Sequence, residues 1–225
     1  LNIDFGPDPK RSWARAHAIA PVLAAAFANS PTTDGELYRP ISNRMRIWAA
    51  TDPTRTRPVG PDPADWARYV LDATVMPSEV MPAALRPFGD WVDSSEPPTI
   101  VDLDRHITTL FPPMRPRGYL EFRLLDALPA VGRAAAIATV WAVMVDDRVG
   151  EMAADICSAL TDPWRVAHDE GLDNPAMSAA VTSVLDRVAR SSEPQLADSV
   201  AAWSERSGHN ARHVDELMTL AEAVD

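Results

Sequence analysis

The segment "RGYLEFRLLD", Arg117–Asp126, decides how this chain is to be read. Leu120, Phe122 and Leu124 alternate with Tyr119, Glu121 and Arg123, so one face is apolar and the other polar and ionisable. Successive side chains of a strand point to opposite faces, and this period of two predicts a β-strand over Gly118–Asp126. A tyrosine, an acid and an arginine side by side leave two readings open. The polar face is either simply wet or it lines a site for something charged. The segment "LNIDF" at Leu1–Phe5 repeats the pattern, with Leu1, Ile3 and Phe5 on one face and Asn2 and Asp4 on the other. Two such strands predict one antiparallel sheet, open on its polar face and covered by helices behind.

Working outward, "SWARAHAIAPVLAAAFAN" is Ala-rich and helical, and Pro21 within it is expected to kink or divide the helix, because proline lacks the backbone donor. Helices are predicted over Ile41–Ala50 and Asp62–Thr74, the second opened by Asp62 as cap and Pro63 in the first turn. The proline-rich stretch Met76–Pro98 reads as a loop with a helical turn near Phe88–Val92. A helix over Thr99–Leu110 stops at "FPPMRPRG", and another is predicted over Ala134–Met144. Beyond Asp147 the pattern is helical: Val181, Val184, Leu185 and Val188 share a face, as do Val214, Leu217, Met218, Ala221 and Val224. The fold class is α+β, a core over residues 1–147 with an acidic helical tail over 148–225.

The 225 residues are 46% hydrophobic and 24% charged, the balance of an ordinary globular chain. No run approaches the roughly 18 consecutive apolar residues of a membrane span. The start lacks an initiator Met and a signal-peptide pattern and reads like the inside of a strand, so the chain is expected to be the C-terminal portion of a longer protein. One cysteine, Cys157, excludes a disulfide framework and suits a reducing cytoplasm. Neither G-x-x-x-x-G-K nor G-x-G-x-x-G occurs. A net charge of −11 argues against nucleic acid as a partner. The charge is uneven: between Tyr38 and Gly60, Arg39, Arg44, Arg46, Arg55 and Arg57 face Asp52 alone. A small anion is the partner such a segment suits.

Four constellations carry chemistry. His209 and His213 stand one helical turn apart with Glu205 a turn earlier, but without an H-E-x-x-H glutamate a solvated acidic helix is the simpler account. Cys157 lies among small and apolar residues, and a buried inert thiol is expected. Arg44 and Trp48 share a helix face, and a guanidinium backed by an indole suits bidentate carboxylate recognition; a solvated arginine over a core tryptophan accounts for the same residues. His106, Thr108, Thr109, Arg115, Arg117, Glu121 and Arg123 gather before and along the strand. There a carboxylate can ligate Mg²⁺ and arginines can hold phosphate, or Glu121 and Arg123 can merely pair.

The blocks "LNIDF", "FANSP", "RIWAATDPTRT", "ARYVLDATVM" and "HITTLFPPMRPRGYLEFRLLDA" occur in this order over residues 1–127. Together they resemble the glutamate–cysteine ligases of the plant and bacterial type, within the glutamine-synthetase-like carboxylate–amine ligases. "FANSP" and the "TTLFP…R…YLE.R" block are the specific ones. The arginine-rich, lysine-poor composition points within that family to the actinobacterial ligases that make γ-glutamylcysteine for ergothioneine. The resemblance implies an ATP- and Mg²⁺-dependent enzyme that phosphorylates the side-chain carboxylate of glutamate and passes it to the amine of cysteine. It implies that Arg44 binds a glutamate carboxylate, with Trp48 shaping that pocket and Asn2 on the floor of the site. It implies that Glu121 is a Mg²⁺ ligand or stands directly behind the ligands, that Arg123 and Arg115 contact phosphate, and that Thr108 and Thr109 lie near the nucleotide. Another amine acceptor, or a non-catalytic helical interaction module, are the competing readings. The family also draws metal-binding glutamates from an N-terminal "E-x-E" region that this chain lacks, and "ALPAVGRAA" departs from its pattern after the strand. The N-terminal half of the same protein is thus an expected partner. These 225 residues alone are expected to be inactive; glutamate- and cysteine-dependent ADP release by this chain, purified by itself, contradicts that expectation.

Overall fold

The structure, a computed structural model, describes residues 1–33, 36–37, 42–76 and 86–208. The chain folds as two compact units. One comprises Asn2–His17 and Ile47–Arg123; the other comprises Leu1, Ala18–Arg46 and the chain from Leu124 onward.

The first unit is built on an antiparallel sheet of β1 (Asn2–Ile3), β5 (Leu120–Phe122) and β4 (Met114–Pro116), with β5 in the centre. Asn2 and Arg115 flank Glu121 in register, and Ile3 and Pro116 flank Leu120. The register therefore puts Asn2, Glu121 and Arg115 in one row across the polar face. Leu120, Phe122 and Met114 are buried. The expected alternation holds, but the ladder is shorter than Gly118–Asp126. Gly118 adopts φ +77° to turn the β4–β5 hairpin, a conformation glycine takes without strain, and β1 offers only two residues for pairing. Strand β4 was hidden from sequence reading by its prolines. It lies on the sheet edge, where the missing N–H of Pro116 interrupts no inner ladder.

Short helices pack this unit. Helix α3 (Pro53–Thr56) is capped by Asp52, whose carboxylate accepts from Thr54 N at 3.0 Å. Helix α4 (Pro63–Asp72) opens as expected, with Asp62 as cap and Pro63 in the first turn, and Asp65 completes a reciprocal capping box. Helix α5 spans Phe88–Val92, the turn the sequence suggested, and α6 (Ile100–Thr108) carries a second box between Thr99 and Asp102. Each such cap is worth about 1 kcal/mol. The buried His106 ring of α6 donates from Nε2 to the Val70 carbonyl at 2.9 Å and stacks on Phe88, centroids 4.5 Å apart. Burial lowers the His106 pKa, which keeps the ring neutral.

Among its described residues the second unit is mainly helical, with the two-residue strands β2 (Thr32–Thr33) and β3 (Glu36–Leu37) paired antiparallel. Helix α1 (Pro9–Ala26), whose C-terminal part belongs here, runs on through Pro21 and is not divided. An interior proline costs about 3 kcal/mol. Tight burial of Ile19, Ala20, Val22 and Leu23 offsets that cost, because tertiary packing stabilises protein helices more than propensity does. Helix α2 spans Asn43–Thr51. Helix α7 (Ala130–Val145) starts four residues before the predicted Ala134, just after Pro129, and packs on α8 (Asp147–Ser158) and α11 (Pro194–Gly208). Helix α9 covers Pro163–Asp169 and α10 covers Pro175–Ser191, burying the expected Val181, Val184, Leu185 and Val188. The apolar face drawn from Val214 to Val224 lies outside the described residues. Among the described residues, no helix is long and apolar enough to cross a membrane.

Trp203 of α11 ties this unit together. Its Nε1 donates to the Ala26 carbonyl at 2.8 Å, its ring stacks on Phe27, and it occupies the space left by Gly132. A Cβ on Gly132 would stand 2.7 Å from the indole. Gly132→Ala is therefore expected to destabilise the protein by about 1–3 kcal/mol through overpacking, despite alanine's better helix propensity, and thermal or urea unfolding checks it.

Candidate active site

The polar face of the sheet holds a charge cluster. Glu121, on the central strand, is shared between two guanidiniums. Arg115 approaches Oε2 through Nε and Nη2, both at 2.7 Å, and Arg123 donates from Nη1 to Oε1 at 3.1 Å. Arg115 is nearly buried, while Glu121 and Arg123 keep 20% of their side-chain surface exposed. Two guanidiniums thus converge on one carboxylate. Burial alone would raise the Glu121 pKa; hydrogen bonds and charge from Arg115, then from Arg123, outweigh it and the net shift is downward.

An aromatic wall supports the cations. The Phe111 ring lies 5.1 Å from the Arg123 guanidinium carbon and 6.0 Å from that of Arg115, and Trp48 packs on Phe111 with centroids 5.1 Å apart. In this unit Trp48 thus contributes to the arginine cluster through Phe111. The segment carrying Phe111 is pinned twice: Arg55 donates from Nε and Nη2 to the Thr109 carbonyl, and Arg115 Nη1 donates to that of Leu110. Phe111 N in turn donates to the Arg55 carbonyl at 2.8 Å. The sequence blocks "ATDPTRT" and "TTLFP" are therefore two halves of one scaffold. Thr108 donates to the Arg105 carbonyl and Thr109 to that of His106, so both hydroxyls close the last turn of α6. Asn2 is exposed, one strand away from Glu121.

The cationic segment separates into distinct jobs. Arg55 holds the Thr109 carbonyl and pairs with Asp52 at 3.7 Å. Arg57 lies over the Tyr69 ring and pairs with Asp72 at 3.2 Å. Arg46 donates to Asn43 Oδ1 at 2.7 and 3.0 Å, and Arg39 lies outside the described residues. Arg44, half-buried at the start of α2, differs: among the described residues its guanidinium's hydrogen bond is to the Met45 thioether, at 3.7 Å. A thioether is a weak acceptor, which leaves the planar fork available for a carboxylate.

Sequence reading missed Asp126 in the helical unit. Its buried carboxylate, 7% exposed, accepts from Asn29 N at 2.7 Å, Ser30 Oγ at 2.8 Å and Ser42 Oγ at 3.0 Å. The partners lie 84 to 97 residues away in sequence, so no local pattern points to them. The only hint was "FANSP", whose asparagine and serine supply two of the three donors.

The surroundings of Glu121 do not fit a Mg²⁺ site on these residues alone. Both carboxylate oxygens face guanidiniums, and among the described residues no group of three or more His, Cys, Asp or Glu could hold a metal. The donor set suits an anion. His209 and His213 lie outside the described residues. Cys157 is buried, and burial pushes its pKa up to about 12, so it is an inert thiol.

Comparison with known proteins gives this cluster its context. The Glutamate-cysteine ligase family 2 (GCS2) model matches residues 1–224. The chain belongs to this family. Among curated ligases, it is 39% identical over 203 residues to "Glutamate–cysteine ligase EgtA" of Mycolicibacterium smegmatis, covering 82% of this chain and 48% of that protein. It is 35% identical over 211 residues to the protein of the same name from Mycobacterium tuberculosis, covering 84% and 48%. It is 32% identical over 192 residues to the chloroplastic glutamate–cysteine ligase of Medicago truncatula, covering 77% and 37%. The chain spans about half the length or less of these curated relatives.

The depressed Glu121 pKa of this family member gives a stability prediction. A carboxyl whose folded pKa is lowered stabilises the fold above its ordinary value, here 4.5, and loses that contribution as pH falls through the lowered value. Glu121→Gln is expected to cost about 1–3 kcal/mol at neutral pH, because Arg115 loses its counter-charge. The gap between wild type and variant should close as pH falls below that range, as read by denaturant unfolding from pH 7 downward.

Proposed function

We propose that this chain is part of an ATP-dependent ligase that joins the side-chain carboxylate of glutamate to the amine of cysteine, giving γ-glutamylcysteine. The observation that carries the reading is the pair of guanidiniums, Arg115 and Arg123, preoriented by Glu121 on a semi-buried sheet face. Phosphoryl transfer to a carboxylate accumulates negative charge on oxygens. Preoriented guanidiniums in a partly desolvated site stabilise that charge without reorganising. Membership of the ligase family supports the assignment.

In this reading a glutamate carboxylate oxygen attacks the γ-phosphorus of ATP, ADP leaves, and an acyl phosphate forms. The cysteine nitrogen then attacks the acyl carbon, loses a proton and expels phosphate. Arg115 and Arg123 hold the phosphoryl oxygens. Glu121 holds the two guanidiniums apart and aimed. Trp48 and Phe111 exclude water from their rear face. Arg44 takes a glutamate carboxylate bidentately. Asn2 contributes to the floor of the site, and the last turn of α6, with Thr108 and Thr109, lies near the nucleotide. Mg²⁺ would accompany ATP as counter-charge, and no step is assigned to it on these residues. Residues 1–147 would belong to the catalytic domain and act in the cytoplasm together with the remaining length seen in the relatives. The resemblance to the actinobacterial ligases supports ergothioneine synthesis as the route that the product enters.

In the full-length enzyme, Arg123→Ala should lower kcat by about 10²–10³. Arg44→Ala should raise the glutamate KM by about 30-fold or more, the equivalent of losing a buried carboxylate contact worth on the order of 2–5 kcal/mol. Coupled ADP release with γ-glutamylcysteine quantified in parallel checks both; an unchanged glutamate KM in Arg44→Ala contradicts the assignment of that residue.

A further inference from the structure

We infer that Asp126 is a positioning residue for Arg44: through Ser30 and Ser42 it fixes the first turn of the helix that carries this guanidinium. The inference rests on the reading of Arg44 as a carboxylate-binding residue and adds the device that orients it.

The first N–H groups of a helix have no intrahelical partner. In α2 three of them are satisfied from outside. Asn43 N donates to the Ser30 carbonyl at 3.0 Å, Arg44 N to Ser30 Oγ at 3.1 Å, and Met45 N to Ser42 Oγ at 3.3 Å. Both hydroxyls serve as acceptors toward the helix, so each proton must go elsewhere. Each goes to Asp126: Ser30 Oγ donates to Oδ2 and Ser42 Oγ to Oδ1. A hydroxyl has one proton, and an ionised carboxylate only accepts. The carboxylate therefore sets the polarity of both serines, turning their lone pairs toward the backbone of α2.

The same carboxylate accepts from Asn29 N, and Asn29 Nδ2 donates to the Ala127 carbonyl at 2.7 Å, so the turn bearing Ser30 is tied to the chain on both sides of Asp126. A parallel bridge joins Ser30 to Ser42. Asp126 is 93% buried, and these neutral groups donate to it at 2.7 to 3.0 Å. A buried carboxylate with no guanidinium among these donors, placed one residue shell behind an arginine, reads as orientation of that arginine's helix.

The test is a double-mutant cycle in the full-length enzyme, reading glutamate KM, ATP KM and kcat for Asp126→Ala, Arg44→Ala and the pair. A small displacement of a binding group costs up to about 10²-fold. Asp126→Ala is accordingly expected to raise the glutamate KM by about tenfold or more while changing the ATP KM by less than about twofold. On the Arg44→Ala background it should add nothing further to the glutamate KM. Asp126→Asn, nearly isosteric, places one donor where only acceptors fit, and should give a smaller rise of the same kind; it decides the matter if Asp126→Ala does not fold. A folded Asp126→Ala or Asp126→Asn enzyme with the wild-type glutamate KM overturns the inference, as does a full additional effect on the Arg44→Ala background. Both of those results leave the Arg44 reading standing. An unchanged glutamate KM in Arg44→Ala alone overturns that reading, and the positioning role with it.

Discussion

The sharing of Glu121 between Arg115 and Arg123 is the interaction on which the candidate site depends. One carboxylate on the central strand fixes two guanidiniums at 2.7 and 3.1 Å, and the strand register leaves no other residue in its place. A single slip of β5 would send Glu121 to the apolar face and Leu120 or Phe122 to the polar one. Leu120 and Phe122 are buried, so the hydrophobic side of the strand enforces the position of the ionic side. The desolvation of Glu121 is offset by charge-assisted hydrogen bonds from both arginines, which hold the two guanidiniums in fixed orientations.

Arginine does several different kinds of work here, and partner identity distinguishes them. Arg55 ends on a backbone carbonyl and Arg57 on an aromatic ring and a surface carboxylate, which makes both structural. Arg115 divides its donors between Glu121 and the Leu110 carbonyl, joining scaffold to site. Arg44 meets a thioether among the described residues, a poor match for a guanidinium and a good reason to expect an external anion. The count of arginines in the cationic segment was therefore a weaker guide than the acceptors they reach.

Much of the fold could be read from local chemistry. Alternation located β5 and β1, the Asp62–Pro63 cap located α4, and the prolines after Leu110 located the end of α6, because these signals act over a few residues. The failures came where packing or pairing overrides local preference. Pro21 stays inside α1 because its surroundings are tightly buried, and β4 forms despite its prolines because it occupies a sheet edge. The pairing of Arg115 and Arg123 with one carboxylate needed the register of the hairpin. Asp126 was illegible for a simpler reason: its three donors come from segments far away in sequence, and an isolated aspartate at the end of a strand looks like any loop acid.

The most direct test of the central claim is a crystal structure of the full-length protein with glutamate and a non-hydrolysable ATP analogue. The account predicts phosphate oxygens within hydrogen-bonding distance of the Arg115 or Arg123 guanidinium, with Glu121 still bridging the pair. A bound nucleotide whose phosphates lie on other residues, with the Arg115–Glu121–Arg123 cluster untouched by ligand, would contradict it.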